Sequence, residues 1–202
     1  PHDVTTYGLS DRRRTPGKLP LSAHGIRVVS ADNGSGGGTS QIPRVASLAR
    51  QLGFRVLGLV DSDKDTASTA GVLAAIEEAC DVVVRLPEGV AVEGAIVAGV
   101  STEFLRAAAS ALPEYGIPDP TVNVDEDQVA RALLKPLHNH GLHEPFLEAL
   151  IPDSGVPPLI GEALDVLATC MSRPKATTQS GAKRPPNPAE SDHPIRLMPT
   201  TS

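Results

Sequence analysis

Aromatic residues are scarce in this sequence. Phenylalanine and tyrosine make up 2% of its 202 residues, and tryptophan is absent. The core must therefore be packed with aliphatic side chains, mainly Val, Leu, Ile and Ala. The same scarcity disfavours a protein that grips single-stranded nucleic acid by stacking bases on aromatic rings.

Cysteine is also rare, and long apolar runs are missing. The two cysteines, Cys80 and Cys170, are too far apart in sequence to form a metal or redox motif, which favours a reduced compartment. No run is long enough to span a bilayer, and no signal peptide opens the sequence. We therefore expect a cytoplasmic protein with no membrane partner. Because the sequence begins with Pro1 rather than Met, we also expect a fragment or a trimmed product.

The formal net charge is −6, so there is no overall basic attraction for nucleic acid. The charge is uneven, because five basic and only two acidic residues lie from Arg173 onward, which leaves the preceding body more acidic than the whole chain. Acidic clusters on a folded body are a common host for divalent cations. A solvated acidic surface explains most of these charges equally well.

Apolar runs rich in β-branched residues predict a small parallel sheet. Three of them read as buried strands, at residues 26–29, 56–60 and 82–84, and a weaker one lies at residues 4–7. Helical spacing between them predicts a helix over 42–52, with Ser40 as its N-cap and Gly53 as its stop, and another over 72–79. Strands alternating with helices indicate an α/β fold.

Beyond Arg85 the pattern becomes helical. Candidate helices cover residues 93–99, 103–112, 125–137, 145–150 and 159–171. From Arg173 the composition shifts to Pro, Ser, Thr, Lys and Asn, which is typical of disorder. The predicted organisation is a metal-binding domain at 1–100, a helical extension at 101–172 and a disordered tail at 173–202.

The segment Asp61-Ser62-Asp63 is the most informative motif. It follows a buried strand directly, and side chains at i and i+2 of an extended chain point the same way, so both carboxylates can reach one ion. Ligands of open parallel sheets bind beyond the carboxyl ends of the strands. Carboxylate oxygens completed by water and phosphate suit Mg²⁺ or Mn²⁺. The alternative is a strand-to-helix turn in which Asp and Ser act as caps.

A glycine-rich stretch over residues 33–40 lies between one predicted strand and the next helix. Gly34, Gly36 and Gly37 would let backbone N–H groups approach a phosphate at a helix N-terminus. The stretch is neither a Walker loop nor a dinucleotide fingerprint. Taken alone, it is better explained as a flexible connection.

Taken in order, these motifs resemble a Toprim domain, the metal-binding fold of type IA and II topoisomerases, DnaG-type primases and OLD nucleases. The family carries Glu-Gly after its first strand, a Gly-containing turn after its second and Asp-x-Asp after its third. Here Asp61-Ser62-Asp63 matches the third motif and the glycine-rich loop matches the second. The resemblance covers Gly8 to Glu93, and it implies a Toprim-like parallel sheet flanked by helices.

The downstream sequence is similar to the OLD branch of this family. The segment from Leu86 to Glu93 resembles the part that supplies a further acidic ligand, which falls on Glu93. The segment from Leu134 to Phe146 resembles the OLD helical extension, and there the lysine thought to assist catalysis falls on Lys135.

The first motif departs from the family. Tyr7-Gly8-Leu9-Ser10-Asp11 has tyrosine at the glutamate position, while Asp11 keeps the second acidic position and is expected to bind metal. A phenol with an ordinary pKa near 10 is a poor metal ligand and a poor base at neutral pH.

Two other clusters carry weaker signals. His138, His140 and His143 match neither a helical His-x-x-x-His pair nor a zinc motif, and Pro136 is expected to interrupt the helix, so surface positions are the better explanation. The run of three arginines at 12–14 is compatible with phosphate contact and equally with a solvated helix face.

The function that this resemblance implies is Mg²⁺- or Mn²⁺-dependent cleavage of DNA phosphodiester bonds. Asp61 acts in catalysis and in metal binding with Asp63, Glu93 and Asp11, and Lys135 stabilises the pentavalent phosphate. The implied partners are DNA, an ATPase domain that this sequence does not contain and a second copy in a homodimer. One alternative is a degenerate Toprim domain that binds metal or phosphate as an interaction module. A response-regulator-like receiver is a third, although the glycine-rich loop has no place in one.

Overall fold

The chain adopts a mixed α/β fold with mostly helical secondary structure. A computed structural model describes residues 2–14, 17–32, 38–62, 67–113 and 126–172. Within these residues two parallel strands lie between helices that cover both faces of the sheet. The α/β class and the small parallel sheet predicted from the sequence are confirmed.

The sheet consists of strands β1 (Leu57–Val60) and β2 (Val82–Arg85). They pair in parallel with Leu57 opposite Val82 and Val60 opposite Arg85. Helix α3 (Ala67–Ala79) makes the crossover between them, as parallel strands require. Leu57 and Leu59 pack on one face and Val60 on the other, which follows from the two-residue period of a strand.

One face of the sheet is covered by α3 and by α2 (Gly38–Gln51). The residues buried in this α2–α3 cluster are Ala46, Val60, Ile76, Ala79 and Cys80. Helix α2 ends before Gly53, whose φ of +85° suits the predicted stop. Ser40 lies inside the helix, so its prediction as the N-cap is wrong.

The other face of the sheet is covered mainly by α8 (Pro158–Ser172), together with α1 (His2–Arg12), α4 (Val92–Val97) and a 3-10 helix (Leu21–His24). The residues buried in this sheet–α8 cluster are Tyr7, Leu21, Val84, Leu86, Val92, Ala95, Ile160, Ala163, Leu164 and Leu167.

A third, purely helical cluster is formed by α5 (Thr102–Ser110), α6 (Glu126–His140) and α7 (His143–Ser154) with parts of α1 and α4. Phe146 and Leu147 are fully buried at its centre. Helix α6 continues past Pro136 to His140, so the expectation that this proline interrupts the helix is wrong.

Two predicted strands do not form. Residues 4–7 belong to α1, where packing against α7 and α8 overrides the β propensity of Val4 and Tyr7. Residues 26–29 do not form a strand either. In the described part of the chain the sheet contains only β1 and β2, so these residues do not pair with β1. Ile26 and Val28 nevertheless pack against the sheet–α8 cluster.

The predicted domain boundary near residue 100 does not coincide with a break in packing. The helical cluster combines Leu9 from α1 and Ile96 from α4 with residues of α5, α6 and α7. The predicted disordered tail, 173–202, lies outside the described residues. Among the residues that are described, no helix is both long and apolar enough to cross a membrane.

Candidate functional site

A large cavity opens beside β1. Its volume is about 1130 Å³, and residues 26–32 and 56–62 are among those that line it. Polar side chains from other elements also line it, among them Tyr7, Glu93, His138 and His143. We call this space the β1 cavity.

Asp61 lies at the carboxyl end of β1 and lines the β1 cavity, as the sequence predicts for a ligand site of a parallel sheet. The loop that carries it is held by the loop after β2. Ser62 N–H donates to the carbonyl of Val90 at 3.2 Å, and Gly89 N–H donates to the carbonyl of Ser62 at 2.9 Å. These backbone bonds restrict where the Asp61 carboxylate can lie.

Glu93 reaches the same cavity from the first turn of α4. Its carboxylate accepts a hydrogen bond from Nδ1 of His138 at 2.9 Å, and the same oxygen lies 3.4 Å from Nε2 of His143. The nearby His143 imidazole has the largest effect on the pKa of Glu93 and lowers it. Burial raises this pKa and the contact with His138 lowers it further, so that the pKa falls to about 2. Glu93 is therefore ionised at neutral pH.

His143 is almost fully buried and connects Glu93 to α1. Its Nδ1 lies 2.9 Å from the hydroxyl of Thr6, which is also buried. Thr6, His143, Glu93 and His138 thus form a continuous polar chain from α1 to the exposed end of α6. Sequence reasoning missed this arrangement because it judged the histidines only against metal-binding spacings.

Tyr7 lies on α1 rather than after a strand, yet its side chain lines the β1 cavity. The hydroxyl is buried and has no hydrogen-bond partner among the described residues. Burial, followed by the negative charges of Asp3 and Asp61, raises the pKa of this phenol far above its usual value. Tyr7 is therefore neutral and cannot replace a glutamate ligand.

Asp11 is not placed for the metal role that the sequence suggested. Both carboxylate oxygens accept from the backbone N–H of Leu21, at 2.9 and 3.0 Å, and Arg14 lies 3.8 Å away. The side chain joins α1 to the 3-10 helix and does not line the β1 cavity. Its motif position in sequence indicated function, whereas its contacts are structural.

Lys135 is exposed on α6 and is also not among the residues that line the cavity. Asp63 and the three loop glycines, Gly34, Gly36 and Gly37, lie outside the described residues. The structure therefore brings two of the predicted site residues, Asp61 and Glu93, to one cavity.

The donors at this cavity are compatible with a hard divalent cation. Across the described ranges no group of three or more His, Cys, Asp or Glu side chains is arranged to hold a metal ion. Mg²⁺ commonly binds through one or two carboxylates and completes its shell with water and substrate phosphate. Asp61 and Glu93 each supply one carboxylate to the lining of the cavity.

Comparisons with known proteins returned no matching family model, no matching curated protein and no matching solved structure.

Proposed function

We propose that this chain is a Toprim-like domain of the OLD nuclease kind that cleaves DNA phosphodiester bonds with Mg²⁺ or Mn²⁺. One observation carries the proposal. Asp61 and Glu93, which both match metal ligands of the family, come from different elements and line one cavity. Asp61 itself follows the carboxyl end of β1, which is where parallel sheets place their ligands.

In this proposal Asp61 and Glu93 hold the cation, and His138 and His143 keep Glu93 ionised and oriented. A bound divalent ion activates water and neutralises charge on the reacting phosphate. The reaction should depend strictly on a cation, because without one the carboxylates of Asp61 and Glu93 would repel the phosphate of the substrate. Lys135 is exposed on α6 and does not line the cavity, and its catalytic role stays a prediction.

The test is nicking of supercoiled plasmid in Mn²⁺, with Mg²⁺ and EDTA as parallel conditions. Asp61→Asn and Glu93→Gln should each lower the rate by about 100-fold or more, as expected when a group that positions a catalytic metal is removed. Glu103→Gln, an exposed carboxylate on α5, is the matched control and should cleave like the wild type. Equal nicking by wild type and Asp61→Asn would reject the proposal.

A second candidate is a Toprim-like domain that binds metal without cleaving. The observation that favours it is the loss of the first motif: Tyr7 is a neutral buried phenol and Asp11 is engaged with Leu21. Titration with Mn²⁺, followed by electron paramagnetic resonance, separates the two candidates. Binding that depends on Asp61 without any nicking supports the second, and nicking that depends on Asp61 supports the first.

A further inference from the structure

The edge of β1 that faces the β1 cavity is open. In the part of the chain that the structure describes, β1 has a strand partner on one side only, which is β2. Residues 26–32 line the same cavity as residues 56–62.

The hydrogen bonds to β2 reveal which groups of β1 face this space. Asp81 N–H donates to the carbonyl of Val56 at 2.8 Å, and Leu86 N–H donates to the carbonyl of Val60 at 3.0 Å. Main-chain groups of a strand alternate in direction from one residue to the next. The N–H and carbonyl groups of Leu57 and Leu59 therefore point away from β2, towards the cavity.

The segment at residues 26–32, which lines the cavity, has the character of an unpaired strand. Side-chain exposure alternates from Ile26 to Val29, which indicates extended chain. Among the described residues, 27–31 make no backbone–backbone hydrogen bond. Val29 lines the cavity although 61% of it is exposed. This segment thus also has main-chain groups and an aliphatic side chain available for contact.

Apolar side chains of the flanking helices also line the cavity. Val45 and Leu73 come from α2 and α3, and Leu164 and Leu167 come from α8. A strand inserted here would face helices on both sides, so it would need apolar residues at successive positions, as buried parallel strands do. The buried hydroxyl of Tyr7, which has no described partner, would gain a peptide carbonyl as acceptor.

We propose that the β1 cavity binds an extended apolar segment of another polypeptide, which adds to the edge of β1 as a further strand. Main-chain hydrogen bonds to Leu57 and Leu59 provide affinity, and the two apolar faces select aliphatic side chains. The carboxylates of Asp3, Asp61 and Glu93 in the lining favour a basic residue in the segment. Binding of the segment requires no metal ion, and its basic residue would compete with a cation for Asp61 and Glu93.

The probe is the peptide fluorescein-Thr-Val-Val-Val-Ile-Val-Lys-amide, labelled through its amino-terminal nitrogen and titrated with the full chain by anisotropy. The matched control peptide has the same side chains but N-methyl groups on alternate amides, which removes N–H donors along one edge. We expect saturable binding of the probe and at least about tenfold weaker binding of the methylated peptide, because several backbone hydrogen bonds are lost.

Two aliphatic residues of similar exposure allow a matched pair of protein variants. Val29 lines the cavity, whereas Leu52, 76% exposed, does not. Val29→Asp should weaken probe binding about tenfold by placing a charge against an apolar strand. Leu52→Asp should bind like the wild type. Both positions are exposed, so neither change should prevent folding, which circular dichroism verifies.

Three results would overturn the inference. Absence of probe binding would remove the strand site altogether. Equal binding of the methylated peptide would mean that the cavity accepts apolar material without strand pairing. Equal loss in Val29→Asp and Leu52→Asp would assign the binding to general surface hydrophobicity. Isotope-edited infrared spectra of a ¹³C-carbonyl-labelled probe should show the amide band of a β-strand only when the chain is present.

Discussion

At the scale of single residues, the polar chain through Glu93 illustrates how neighbours determine chemistry. Glu93 alone is an acidic residue in the first turn of a short helix. Contacts with His143 and His138, which are far from it in sequence, lower the pKa of its carboxyl at the cavity wall. The buried imidazole of His143 is itself oriented by Thr6.

The depressed pKa of Glu93 predicts a specific pH dependence. Because its pKa falls from 4.5 when unfolded to about 2 when folded, its contribution to stability is present above pH 4.5 and is lost as the pH falls towards 2. As the pH falls over that interval, the unfolding free energy of the wild type should decrease by roughly 2 kcal/mol more than that of Glu93→Gln, after allowance for solvent screening. Urea denaturation at several pH values measures this, and parallel curves for the two proteins would contradict it.

Tyr7 leads to a prediction of the opposite kind, in which a substitution stabilises the fold. Its buried hydroxyl has no described hydrogen-bond partner, and leaving such a group unpaired costs about 1–3 kcal/mol. Tyr7→Phe keeps the ring and removes the hydroxyl, so it should raise the unfolding free energy by about 1 kcal/mol in thermal or urea melts. A destabilised Tyr7→Phe protein would mean that the hydroxyl has a partner after all.

At the scale of elements, β1 closely approaches the end of α3 at Gly58. A Cβ atom placed on Gly58 would lie 3.1 Å from Sγ of Cys80 and 3.5 Å from a methyl of Ile76. The small residue thus allows strand and helix to meet in the α2–α3 cluster. The same contact buries Cys80, and this burial, followed by the charge of Asp81, raises the pKa of its thiol.

Gly58→Val should destabilise the chain by about 1–3 kcal/mol, because the added methyl groups overpack this contact. Gly71→Ala is a matched control within α3, since an added Cβ there meets nothing within 4 Å and the position is exposed. That change should stabilise the helix by up to about 1 kcal/mol. Thermal melts of both variants compare them directly, and a neutral Gly58→Val would place β1 farther from α3.

At the scale of the whole molecule, the carboxylates of the β1 cavity predict stabilisation by divalent metal. A ligand that binds only the folded state adds to its stability. Millimolar Mg²⁺ or Mn²⁺ should raise the thermal midpoint by about 2–4 °C, which corresponds to roughly 1 kcal/mol for a chain of this size. Asp61→Asn should abolish the increment and Glu103→Gln should retain it. An increment that survives in Asp61→Asn would remove the loop after β1 from the metal site.

Several elements were predictable from local sequence because their signals are local. The apolar runs at β1 and β2, the helical period of α2 and the stop at Gly53 depend on neighbours within a few positions. The same method failed at residues 4–7 and at Pro136, where packing against distant helices decides the conformation.

The sequence by itself determined the α/β class, the order of most helices and the position of Asp61 at a strand end, because periodicity and local propensity encode them. Only the tertiary structure decided which charged residues meet. It brought Glu93 to the cavity with His138 and His143 and committed Asp11 to Leu21, and among the described residues it left one edge of β1 without a strand partner. These outcomes depend on contacts between residues distant in sequence, which burial and packing select and no local pattern records.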